Sequence, residues 1–93
     1  MSPLAEDAVP ELAGHYRFQW EPAQQAYVLL YPEGMVKLGA SAGEILKRVD
    51  GALPVAAIIA ELERAFPGAE LRSDVIEFLA HARDRGWIRV RSA

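Results

Sequence analysis

Cysteine is absent from the 93 residues, which excludes a disulfide framework, a thiolate metal site, iron–sulfur ligation and a cysteine nucleophile. Histidine is scarce: His15 and His81 are the two present, and neither has a second ligand at metal spacing. A surplus of positive charge is also missing, since ten Lys plus Arg stand against thirteen Asp plus Glu, a formal net charge of −3. Nucleic-acid binders draw most of their affinity from phosphate neutralisation and counterion release, so this balance argues against that class. No apolar run approaches the roughly 20 residues of a membrane span. Acidic Glu6 and Asp7 stand where a signal peptide needs a basic start. The expectation is a cytoplasmic protein without metal or cofactor. What the chain does have is 52% hydrophobic and 25% charged residues, enough for one domain with a core.

Residues 1–15 hold Pro3, Pro10 and Gly14 without helical or strand periodicity and read as an amino-terminal arm; residues 16–90 read as a single domain. From Tyr16, alternation places Tyr16, Phe18 and Trp20 on one face and Arg17, Gln19 and Glu21 on the other, which predicts a first strand over Tyr16–Glu21. After the turn Pro22–Gln25, the run Tyr27–Tyr31 predicts a second strand, covered on both sides. Pro32-Glu33-Gly34 predicts a hairpin loop of three to five residues leading into a third strand over Met35–Leu38.

Helical spacing follows. Ser41 and Glu44 predict a capping box, with Ala42, Ile45, Leu46 and Val49 as the buried stripe and Asp50-Gly51 as the stop. A second helix is expected from Pro54, with Val55, Ile58, Ile59, Leu62 and Phe66 inside and Pro67-Gly68 ending it. The third is expected over about Leu71–Arg85, with Leu71, Val75, Phe78, Leu79 and Ala82 inside and Gly86 as terminator. Trp87–Val90 returns to alternation as a short wing strand or an extended packing segment. The predicted fold is α+β and winged-helix-like: a three-stranded antiparallel meander followed by three helices.

Catalytic groupings are hard to find. Ser41, Asp74 and His81 have the residue types of a triad, but Ser41 has a local use as a helix cap and no nucleophile elbow surrounds it. No glycine spacing matches a phosphate loop. Arg64, Arg72, Arg83, Arg85, Arg89 and Arg91 gather in the last third, yet Glu61, Glu63, Glu70, Asp74, Glu77 and Asp84 offset them, six against six. No catalytic residue is assigned. What remains is the sheet edge at Met35, Val36, Lys37 and Leu38, where an extended peptide would add as a further strand. The chain's own arm or a second copy would fit the same edge, and pattern alone leaves the three open.

Leu29-Leu30-Tyr31-Pro32-Glu33-Gly34, Ala42-Gly43-Glu44-Ile45-Leu46, Asp50-Gly51, Asp74-Val75 with Phe78-Leu79, and Arg85-Gly86-Trp87-Ile88 together resemble the PqqD family, over about Tyr16 to Ile88. The resemblance implies a non-catalytic peptide chaperone of pyrroloquinoline quinone biosynthesis, a recognition element for ribosomally made precursor peptides. It would hold the precursor peptide PqqA and present it to the radical SAM enzyme PqqE. The peptide would add to the third strand and lie in a groove against the third helix. On that helix, one flank of the buried stripe carries Arg72, Ile76 and Arg83, the other Asp74, His81 and Arg85; apolar Ile76 favours the first, so Arg72, Ile76, Leu79 and Arg83 are the expected groove residues. Two departures from the family pattern fall at element boundaries: Leu53-Pro54 where a small hydroxyl residue often starts the second helix, and Gly39 where Asn is frequent. A winged-helix DNA binder, a carrier of the finished quinone, and a homodimer formed by arm or strand exchange are the alternatives.

Overall fold

Every stretch of alternation in the sequence becomes a strand in the computed structural model, which describes residues 4–92. The first three residues of the segment read as an arm lie outside the described residues. In chain order the elements are β1 (Val9–Leu12), β2 (Arg17–Glu21), β3 (Ala26–Tyr31), β4 (Gly34–Lys37), α1 (Ala40–Leu46), α2 (Val55–Ala65), α3 (Arg72–Asp84) and β5 (Ile88–Arg91). The result is α+β, with two antiparallel sheets and three helices. Winged-helix describes it loosely, because the larger sheet precedes the helices and the smaller one joins the two ends of the chain.

The meander has the order β2-β3-β4, so β3 is central and β2 and β4 are edges. Cross-strand partners share a face, which puts Phe18, Leu29 and Val36 on the inner side and Arg17, Leu30 and Met35 on the outer. The β3–β4 connection is tighter than expected. Tyr31 pairs with Gly34, leaving Pro32 and Glu33 alone in the loop.

The amino-terminal segment is where structure and pattern differ most. Residues read as a patternless arm contain β1, which pairs antiparallel with β5 from Val9↔Arg91 to Leu12↔Ile88. A four-residue strand containing a proline carries no periodic signal, and Pro10 is tolerated because β1 is paired on one side. The carbonyls of Glu6 and Ala8 accept from the amides of Ala56 and Val55, at 2.8 and 2.9 Å. Those amides open α2 and have no partner within the helix. Leu4, Ala8 and Ala13 of this segment are buried.

Helix boundaries bring further corrections. α1 begins one residue before Ser41, its N-cap is Gly39, and no side chain caps it. Glu44 instead accepts from Arg48 Nη1 at 3.0 Å, and Arg48 Nε approaches Glu61 at 3.4 Å, tying α1 to α2. Pro54 is the N-cap of α2 and not its first residue. Phe66, expected inside, is the C-cap and 46% exposed. It precedes Pro67, and a residue before proline is pushed out of the helical region by contact with the proline ring; its φ of −126° and ψ of 74° carry the side chain off the buried stripe. Gly86 ends the third helix as expected, at φ +81°.

Asp50 does not end α1, which stops earlier, at Leu46 with Lys47 as its C-cap; its side chain holds the turn that leads to α2. Its Oδ1 accepts from the amides of Leu53 and Ala52, both at 2.9 Å, and these bonds, Leu53 first, hold the carboxyl below its ordinary range. Because the folded chain favours the ionised form, this contribution is present above the unfolded carboxyl value near pH 4 and is lost as pH falls toward the folded one. Asp50→Ala is expected to lower stability by about 0.5–1 kcal/mol at neutral pH, the low end for hydrogen bonds because the carboxylate is exposed. The difference from the parent should shrink below about pH 4 in denaturant titrations.

Candidate site at the free sheet edge

The hydrogen-bond parity of β4 decides what its edge presents. Antiparallel partners alternate between pairs that exchange bonds and pairs that do not. The amide of Leu38 donates to the Tyr27 carbonyl at 3.0 Å, which marks Tyr27–Leu38 as an exchanging pair. Counting back along the register, Val36 and Gly34 also turn their main-chain groups to β3. Met35 and Lys37 therefore direct their N–H and C=O away from the sheet, toward the side where β4 has no neighbouring strand among the described residues.

Side chains alternate in the same way. Met35 and Lys37 are exposed on the outer face, while Val36 is half-buried and Leu38 buried on the inner one. Two residues past Leu38, at Ala40, a cleft of about 500 Å³ opens between the helices. α1 supplies Ala40, Ser41, Glu44 and Ile45; α2 and the turn after it supply Leu62, Phe66 and Ala69; the start of α3 supplies Leu71, Asp74 and Val75. Its walls are mainly apolar, with Ser41, Glu44 and Asp74 as the polar members.

The four expected helix residues lie elsewhere. Arg72 donates to the Glu6 carboxylate, an ion pair that raises the pKa of its guanidinium, first by the hydrogen bond and then by charge. Leu79 is fully buried in the core, and Ile76 is half-buried against it. Arg83 lines a separate cavity of about 880 Å³ with Leu4, Ala8, His15, Ile88 and Arg89, and its Nε is 3.6 Å from Asp84. That flank of α3 thus faces the amino-terminal segment. On the other flank Asp74 reaches the cleft, while His81 and Arg85 gather on Trp87, the imidazole edge-on at 5.6 Å and the guanidinium 5.8 Å from the ring centre.

Ser41 and Asp74 share the cleft, but His81 packs on Trp87 and not between them. Among the described residues no three of His, Asp and Glu converge in a way that could hold a metal. No helix among them is long and apolar enough to cross a membrane. Sequence reasoning missed Phe66, Leu71 and Ile45 as cleft-lining residues because all three read as core. For Phe66 the following proline was the available signal.

Comparison with known proteins points one way. The family model described as Coenzyme PQQ synthesis protein D (PqqD) matches residues 26–88. The chain is 52% identical over 91 residues to a PqqA binding protein of Azotobacter vinelandii, covering 97% of this chain and 99% of that one. It is 48% identical over 92 residues to a PqqA binding protein of Stutzerimonas stutzeri, covering 98% of this chain and all of the other. Among solved structures it resembles the solution NMR structure of the PqqD truncation of Methylobacterium extorquens PqqCD, which represents a stand-alone recognition element for ribosomally synthesised, post-translationally modified peptides. The TM-score is 0.72 at 27% identity, with 87% of this chain and 88% of that chain covered.

Proposed function

The chain belongs to the PqqD family, and we propose that it binds the precursor peptide PqqA by strand addition in pyrroloquinoline quinone biosynthesis, acting as a non-catalytic chaperone in the cytoplasm. The observation that carries this is the unpaired edge of β4, with the main-chain groups of Met35 and Lys37 turned outward beside an apolar cleft. Extended peptides add to such edges, gaining affinity from main-chain bonds and selectivity from pockets under alternate side chains. Met35, Val36, Lys37 and Leu38 form the docking strand. On the helical side the proposal moves from Arg72, Ile76, Leu79 and Arg83 to the cleft side of the start of α3, at its N-cap Leu71 and at Asp74. The amino-terminal segment does not compete for the edge, because its strand is paired with β5.

Ordering a flexible peptide costs about 2–5 kcal/mol of the gross contact energy, which places the affinity near micromolar, on the order of −8 kcal/mol. Such a complex holds its cargo yet releases it. The peptide outside the docked segment stays free for the radical SAM enzyme PqqE, and a second copy of this chain pairing through β4 would compete with PqqA. The DNA-binding alternative loses support, since Arg72, Arg83, Arg89 and Arg91 each lie within 4 Å of a carboxylate. Those contacts also weaken the case for a quinone carrier, because the guanidiniums lining the larger cavity already face Asp84 and Glu11.

A chemical-shift titration with synthetic PqqA tests the proposal. Perturbations are expected at residues 35–38 and at the cleft residues of α1 and α3. Shifts confined to β1, β5 and the Arg72–Arg83 flank would contradict it.

A further inference from the structure

β4 offers an incoming strand little, and that economy restricts what it accepts. Its outward main-chain groups are the N–H and C=O of Met35 and Lys37, two residues apart, with Val36 between them bonded to β3. A guest in antiparallel register exchanges bonds through two of its own residues, one opposite Met35 and one opposite Lys37. Guest side chains at those positions fall on the outer face. Those opposite Val36 and Leu38 fall on the inner face, because successive side chains of a strand alternate.

Two residues beyond Leu38 the chain enters α1 at Ala40, which lines the cleft walled by Ile45, Leu62, Phe66, Leu71 and Val75. Of the three large apolar side chains exposed among the described residues, Trp20, Met35 and Phe66, Phe66 stands on the cleft, while Met35 lies on the outer face of β4. Phe66 on this mainly apolar cleft leaves it open to apolar guest side chains arriving on the inner face.

Resting on the peptide-binding reading above, we infer that the site selects by parity. The guest class is an extended segment reading apolar–x–apolar–x from its amino end. Both x residues must carry an N–H, so neither is proline, and both apolar side chains must be bulky. The first apolar residue lies opposite Leu38 at the mouth of the cleft, the second opposite Val36. The x residues lie opposite Lys37 and Met35, where main-chain bonding, and not side-chain identity, is what counts.

N-methyl scanning of synthetic PqqA, read by calorimetry, tests this. Methylation at the two x positions removes a donor and puts a methyl group into the sheet, and is expected to weaken binding at least about tenfold. The intervening residue should tolerate it. Alanine scanning should give the complement, with the losses at the apolar positions. On the protein, Lys37→Pro removes an outward N–H and no bond to β3, so the fold should persist while affinity drops at least about tenfold. Val36→Pro removes an inward N–H and should disrupt β4 itself.

Losses at adjacent peptide positions, or at none while residues 35–38 still shift on titration, would overturn the parity rule and leave strand addition standing. No shift at residues 35–38 would remove both. The peptide scan needs no protein variant, so a Lys37→Pro chain that fails to fold leaves the test intact.

Discussion

Leu79→Ala is expected to lower the free energy of unfolding by about 2–5 kcal/mol while leaving the peptide affinity of folded molecules unchanged. Leu79 is 0% exposed and belongs to the central cluster with Ile58, Ile59, Val75 and Ala82, so the substitution removes transfer energy and leaves a cavity that its neighbours fill only in part. Domains of this kind are stable by about 5–15 kcal/mol, and the loss is a large share of that. The position also belongs to the Phe78-Leu79 motif that carries the family resemblance and was expected in the groove. Burial decides between the two roles, because a side chain without accessible surface cannot touch a docked strand unless the core opens. Denaturant melts give the stability change, and calorimetry well below the transition gives the affinity. A tenfold loss of affinity in fully folded Leu79→Ala would make Leu79 a peptide contact and the described core closed too tightly.

That example shows how much of the fold and site was legible in the sequence. The meander was readable to within one residue at most strand ends, because strict alternation from Tyr16 and the apolar run from Tyr27 leave few registers that bury one face. The parity of β4 was legible less directly, since it depends on Tyr31 and Gly34 closing a two-residue loop and not the longer one expected. β1 had no local signal. Its existence depends on β5 at the opposite end of the chain and on the unpaired amides at the start of α2, and neither is visible in Val9-Pro10-Glu11-Leu12. Pattern could not show what lies over that flank of α3 for the same reason: Ile76 packs against the core, and the amino-terminal segment reaches this flank through the contact of Glu6 with Arg72. Periodicity tells which side of a helix is buried, but not which neighbour buries it.

Gly43→Val is expected to cost roughly 2–3 kcal/mol and, unlike Leu79→Ala, to weaken peptide binding even where the chain is folded. Gly43 sits inside α1, where glycine costs about 1 kcal/mol relative to alanine, so a packing reason must outweigh the helix preference. The reason is Tyr27 on β3. A Cβ at position 43 would meet the ring at 2.9 Å, with further atoms at 3.3 and 3.4 Å, and valine adds two methyl groups beyond that. The ring cannot swing aside freely, because it stacks on Phe18 at 4.7 Å and meets Trp20 edge-on at 5.1 Å. α1 must then lift from the sheet. Since Ala40, Ser41, Glu44 and Ile45 form one wall of the cleft, that displacement changes the space the guest's apolar side chains enter. Tyr27→Ala clears the obstruction at its own cost in packing, so the double variant should be more stable than the sum of the two single changes, a coupling that a double-mutant cycle measures. If Gly43→Val matches the parent in both stability and affinity, α1 does not rest on Tyr27 in solution, and the cleft has a different shape from the one described.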